Sequence, residues 1–255
     1  MNEKFSLVLS GGSALGFAHL GVIKYLEENN KVPAEILGTS MGALIGVAYS
    51  KDRDFSKIYE FFKSRSYIKM FRPDFFHKGN LISNGKIRKE ISDYLEGKDF
   101  DDLDIDLKIV ATNSQTGECE VFDKNSGVSL VDALCASTAI PGVFSPYKIG
   151  DKTYYDGFLT SNLPFEFSTY KPYCFNVVNQ YLIGDNEDKT SFGNFRQMAL
   201  ILVYNQHRLK QNYLNRDIVL VDLDVSKYTL FDFHKLDELL ELGYRQSIGK
   251  LSSLE

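Results

Sequence analysis

Apolar positions in the first fifty residues follow two rhythms. Phe5, Leu7, Val8 and Leu9 form a short run that ends at Gly11-Gly12-Ser13, which predicts a strand over residues 4–10. Leu15, Ala18, Val22 and Leu26 then recur at helical spacing, predicting a helix over 14–29. Pro33 punctuates a loop, and residues 35–38 read as a second strand. No charge occurs from Ile36 to Ser50, and the stretch 41–49 is small or apolar on every side. A helix of that kind belongs inside a domain. Strand, helix, strand, helix in this order predicts an α/β fold with a parallel sheet.

The pattern is more mixed further on. Residues 54–64 and 84–95 read as amphipathic helices, and 107–113 and 118–123 as strands around a Thr116-Gly117 turn. A short helix over 130–138 must stop before Pro141. Pro141, Pro146, Pro164 and Pro172 then mark a loop-rich region, with a hairpin expected from 147–149 and 153–155 over Gly150-Asp151. Residues 174–178 read as another strand and 184–191 as a polar, mobile loop. A long helix follows over 192–215, its stretch 198–204 expected in the core, then a strand over 218–223 and a final helix over 235–251. With no repeat or linker, one domain over 1–255 is expected.

Composition narrows the function classes. The 255 residues are 44% hydrophobic and 25% charged, proportions that support a packed core rather than disorder. A net charge of −5 argues against a dedicated nucleic-acid binder. Three scattered cysteines and four scattered histidines ask for neither a disulfide framework nor a metal, and no cofactor is expected. The start Met1-Asn2-Glu3-Lys4 lacks a leader pattern, and the longest apolar run, 198–204, is far short of the roughly 20 residues of a membrane span. A cytoplasmic protein is expected, with peripheral membrane association left open.

Two turns carry candidate chemistry. Gly38-Thr39-Ser40-Met41-Gly42 has the G-x-S-x-G form of a nucleophile elbow between a predicted strand and a predicted helix. The flanking glycines leave room for a sharp turn, and the helix N-terminus favours negative charge above the serine. Gly11-Gly12-Ser13-Ala14-Leu15-Gly16 also joins a strand to a helix. It is no P-loop, because no Gly-Lys-Ser/Thr follows, and it is a poor dinucleotide fingerprint, with Ser13 where a glycine is required. Paired with the elbow, its backbone N–H groups are candidates for an oxyanion hole. The base is open. His207 and His234 are the only late histidines, in polar or amphipathic settings more typical of surface or packed residues, and Asp123 and Asp156 lie at predicted strand ends.

Three blocks resemble the bacterial branch of the patatin-like phospholipase family. They are Gly11 to Val22, Gly38-Thr39-Ser40-Met41-Gly42-Ala43, and Ala136 to Pro146 followed by Tyr155-Asp156-Gly157 and Asn162-Leu163-Pro164. Order and separations match over about residues 5–165, with 166–255 completing the domain. The resemblance implies a three-layer α/β/α fold with a mostly parallel central sheet and a serine lipid acyl hydrolase of phospholipase A type that works through an acyl-enzyme. Ser40 would be the nucleophile and Asp156 the base, with Gly11, Gly12 and Ser13 along the oxyanion turn. Gly16, Gly38, Gly42 and Gly157 would support the motifs, and no histidine would be required. Members often carry Arg or Lys where this chain has Leu15, a third glycine where it has Ser13, and a small residue where it has Phe158. The first change weakens the expectation of phosphate-headgroup binding. The last would narrow or reshape the site. An acyltransferase or a non-lipid esterase could use the same dyad, and a low-turnover lipid-binding regulator could keep the fold.

Two charged stretches modify the picture. Residues 53–78 hold seven basic and three acidic residues among eight aromatics. They read either as an ordinary packed helix and loop, the slightly favoured reading, or as a patch for peripheral contact with an anionic membrane. Residues 96–106 hold six carboxylates without the EF-hand pattern and read as a solvated loop.

Overall fold

The structure is a computed structural model and describes residues 4–64, 84–183, 190–214 and 217–251. The expected mobile loop at 184–191 falls almost wholly outside the described residues, as does the 65–78 part of the basic stretch.

The strands are β1 (Phe5–Leu9), β2 (Glu35–Gly38), β3 (Asp106–Asn113), β4 (Cys119–Phe122), β5 (Tyr147–Ile149), β6 (Lys152–Asp156), β7 (Lys171–Asn176) and β8 (Val219–Asp222). They form one mixed, mostly parallel sheet in the order β5-β6-β3-β2-β1-β7-β8, with β4 also on β3. The helices are α1 (Ala18–Glu28), α2 (Met41–Asp52), α3 (Phe55–Lys63), α4 (Asn84–Leu95), α5 (Leu130–Ser137), α6 (Phe158–Ser161), α7 (Ser191–Leu214) and α8 (Leu236–Ser247). A 3₁₀ turn over Ser13–Phe17 precedes α1, so the helix expected over 14–29 is divided.

Strand alternation feeds two cores, one on each face. Phe5, Leu7 and Leu9 of β1 join the larger core with α1, α2 and α8, whereas Val8 joins a smaller one with Leu37, Leu163, Phe165 and Cys174. The result is a three-layer α/β/α fold. Residues beyond 165 are integral to it, since β7 pairs with β1 from Phe5↔Lys171 to Leu9↔Phe175.

The register of β3 brings two distant chain segments together. Ile109 pairs with both Gly38 and Phe122, and Ala111 with both Asp156 and Glu120. A strand has two edges, so β4 occupies one while β2 and β6 share the other, running in opposite directions toward each other. Their C-terminal ends meet there, two residues apart along β3.

Candidate active site

Ser40 follows the end of β2 and caps α2, with φ 53° and ψ −120°. That is the left-handed half of backbone space, which costs a non-glycine residue about 1–2 kcal/mol and persists only where the surroundings enforce it. Here they do. An added Cβ on Gly38 would lie 2.6 Å from Ala43 Cα, and one on Gly42 would lie 2.3 Å from the Leu9 carbonyl oxygen. Strand and helix backbones are thus in contact, and the chain can turn only at Ser40. Gly16 and Gly157 are equally confined, by Met41 and the Val110 carbonyl. The Ser40 N–H donates to Ser137 Oγ at 2.9 Å, which pins the turn to α5.

Asp156 ends β6 and is fully buried. Its Oδ1 accepts the Phe158 N–H at 2.9 Å, and Oδ2 has no hydrogen-bond partner among the described residues. Burial pushes its pKa up from 3.8 to about 7, against smaller lowering effects of the Phe158 N–H and the nearby Ser40 hydroxyl. The serine and an unsatisfied, basic carboxylate therefore stand together, with no closed hydrogen bond at Oδ2 in the resting site.

The glycine turn lies alongside. The Gly11 N–H donates to the Asn162 carbonyl at 3.1 Å, and the Ala14 N–H to the Leu230 carbonyl at 3.1 Å. Between them, the N–H groups of Gly12 and Ser13 have no acceptor among the described residues. Ser13 has φ 52°, so the residue standing where the resembling family has a third glycine adopts a glycine-like conformation. Both left-handed serines line the same cleft. Asn162 ties this turn down. Its N–H donates to Gln206 Oε1 on α7, and its side-chain amide donates to the Gly11 carbonyl at 3.4 Å.

The cleft above Ser40 opens to solvent. Among the described residues its walls are apolar apart from Ser13, Ser40, Asp156, Asn162 and Arg196, and they include Ile140, Val143, Phe158, Leu200 and Val203. An apolar cleft with a few convergent polar groups is the usual form of a small-molecule site.

A model of the patatin-like phospholipase family matches residues 7–167, well over half the chain. The chain belongs to the patatin-like phospholipase family. An uncharacterised NTE-family protein of Mycobacterium bovis is 30% identical over 64% of this chain and 45% of its own length. A lysophospholipase, NTE1, of Kluyveromyces lactis is 25% identical over 99% of this chain and 19% of its own. The chain thus spans less than half the length of these curated relatives. Among solved structures, VipD from Legionella pneumophila shares the fold, with a TM-score of 0.58 and 14% identity over 99% of this chain and 67% of that one.

The other sequence candidates of this patatin-like chain lie apart from Ser40 and Asp156. Asp123 follows β4 on the far edge of β3, where it accepts the Asn125 N–H at 2.8 Å. His234 is exposed, and His207 is buried edge-on to Phe165, its pKa held down chiefly by desolvation. Neither lines the cleft. His19 is fully buried, holds the Ser10 carbonyl through Nε2 at 2.9 Å, and has its pKa lowered by burial to about 4. It is a neutral strut beneath the glycine turn. Leu15 is fully buried, and Phe158 forms part of the cleft wall.

One expectation holds only in part. Of the 198–204 stretch of α7, Leu200 and Val203 join the core and line the cleft, while Met198, Ile201 and Leu202 are exposed. A continuous apolar run carries no phase, so periodicity could not say which side faces inward. Ser137 and Asn162 lie within the motif blocks, but their roles rest on contacts that reach across the fold and that no local pattern signals.

Proposed function

We propose that this protein is a serine lipid acyl hydrolase of phospholipase A type that uses a Ser40–Asp156 dyad. The observation that carries the reading is the fully buried, unsatisfied Asp156 carboxylate beside a serine held in a left-handed turn. The lysophospholipase among the relatives supports the lipid ester substrate. Asp156 accepts the hydroxyl proton as Ser40 Oγ attacks the ester carbonyl. A pKa near 7 makes it a far better base than an ordinary carboxylate, while leaving much of it ionised at neutral pH. The N–H groups of Gly12 and Ser13 receive the oxyanion, and the N-terminus of α2 adds its positive end. Collapse of the tetrahedral intermediate returns the proton to the departing alcohol and leaves an acyl group on Ser40. Water, activated by the same carboxylate, then releases the acid.

The described half of the basic stretch bears on membrane contact. Ile58 and Phe62 of α3 are buried, Phe61 stacks on Tyr94 at 3.8 Å, and Lys57 stays exposed. Peripheral contact through 53–78 would accordingly be electrostatic and salt-sensitive on this part of the segment. Among the described residues, no helix is long and apolar enough to cross a membrane.

The test is hydrolysis of short-chain p-nitrophenyl esters and of a lysophospholipid. Ser40→Ala and Asp156→Asn should each reduce turnover at least a thousandfold in folded protein. Full activity in either variant contradicts the dyad.

A further inference from the structure

The outer side of α7 differs from the rest of the surface. Of the large apolar side chains exposed among the described residues, Met198, Ile201, Leu202 and Leu209 stand on this one helix, and Leu159 stands on α6 beside it. A spacing of i, i+3, i+4 and i+11 puts the four on one side of α7. The opposite side carries Leu200 and Val203 to the catalytic cleft. The Gln206 side-chain amide donates to the Leu159 carbonyl at 2.9 Å, which joins the α6 residue to the same patch. The helix is thus apolar on two sides, one packed on the fold and one facing solvent. Its charge is as uneven. The 24 residues of α7 include no Asp or Glu, in a chain whose net charge is −5. Lys210 is paired with Glu166, whereas Arg208 stands exposed in line with Ile201, a heptad away.

Size and charge select the partner. The five side chains are 40–58% exposed and together present roughly 500 Å² of apolar surface. That is well below the ~800 Å² per partner of a stable dimer, so a second copy of the chain is a poor match. A lipid surface sets no such threshold, because apolar side chains enter it one by one, each gaining up to about 1.5–3 kcal/mol. The exposed Arg208 and the lack of carboxylates along the helix suit anionic headgroups. We propose that α7 docks on an anionic lipid surface, with Met198, Ile201, Leu202, Leu209 and Leu159 sunk below the headgroups. The helix that walls the cleft then also holds the cleft against the bilayer, and an ester lipid reaches Ser40 without crossing bulk water. The choice of lipid as occupant rests on the acyl hydrolase reading. The surface is separate from the 53–78 stretch, whose α3 part turns Ile58 and Phe62 inward.

The chain contains no Trp, so a single introduced one reports from its own position. In the full-length Leu202→Trp variant, emission should shift to the blue by about 10 nm or more on adding vesicles of ether-linked phosphatidylcholine with about 30% ether-linked phosphatidylglycerol. The ether linkage keeps the vesicles intact in the presence of an active enzyme. Val32→Trp, exposed ahead of β2 at the end opposite Ser40, should not shift. Met198→Gln combined with Leu202→Gln should weaken co-sedimentation with the same vesicles about tenfold or more, and Arg208→Gln about two- to fivefold. Both glutamine proteins should hydrolyse soluble p-nitrophenyl butyrate within about twofold of wild type, since none of these side chains lines the cleft. No shift in Leu202→Trp, an equal shift in Val32→Trp, or undiminished vesicle binding by either glutamine protein overturns the proposal. So does a shift that appears without vesicles as protein concentration rises, which marks a second copy as the occupant. The Trp readings decide the matter if the glutamine pair does not fold. Failure of the catalytic reading shows separately, as ester hydrolysis that survives Ser40→Ala while vesicle binding is unchanged.

Discussion

Asp156 is held between two demands. Its burial disfavours the charged form, yet the proposed chemistry needs that form. Two outcomes follow. The acid limb of kcat/KM against pH should inflect near 7, the pKa of the free carboxyl, well above the range of an exposed aspartate. Stability should move the other way. The folded-state pKa lies above the unfolded value, so the native state holds the extra proton, and stability falls as pH rises from about 4 to 7. Asp156→Asn should therefore raise stability at pH 8 by about 2–4 kcal/mol, with the gain shrinking below pH 5, as read by denaturant titration. Ser137 gives the next test at this scale. Ser137→Ala leaves the Ser40 N–H without its acceptor, which should cost about 1–2 kcal/mol of stability and lower kcat more than it changes KM. The sequence made Ser40 legible through its pentapeptide. Asp156 was separable from Asp123 only by resemblance, because the shared edge of β3 that selects it is a long-range pairing.

At the scale of elements, strands and helices were mostly legible, since their hydrophobic periods are local. The contacts between them were not. Helices α1 and α8 cross where Gly21 meets Gly243: an added Cβ on Gly21 would lie 2.1 Å from the Leu240 carbonyl oxygen, and one on Gly243 would lie 1.9 Å from that of Ala18. Nothing local distinguishes these glycines from loop or cap residues, as the pair is joined only by the fold. Gly21→Ala or Gly243→Ala should force the helices apart and lower the melting temperature substantially, by about 2–4 kcal/mol in stability. The α7 helix shows the complementary limit. Its apolar run was visible, but its inward face, which carries Leu200 and Val203 to the cleft, is set by the partner it packs on.

Across the whole molecule, the motif-bearing part does not contain the whole sheet. The matched segment 7–167 lacks β7, an interior strand between β1 and β8, and it lacks α8, which covers α1. A fragment ending at residue 167 should fail to give a cooperative thermal transition, whereas the full chain should show one. The sequence placed the last 90 residues in the domain without a motif to say why. Their contribution is one sheet neighbour, one packed helix and one cleft wall. The average charge of −5 also conceals opposing buried groups. Over pH 4 to 6.5, His19, with its lowered pKa, adds stability as pH rises, while Asp156 removes it.

The most direct measurement is the mass of the protein during turnover. Wild-type enzyme mixed with p-nitrophenyl butyrate and quenched in acid within milliseconds should carry one butyryl group. Peptide mapping should locate it on the peptide that contains Ser40, and Ser40→Ala should carry none. An adduct on another residue, or full ester turnover by Ser40→Ala, would contradict the Ser40–Asp156 account.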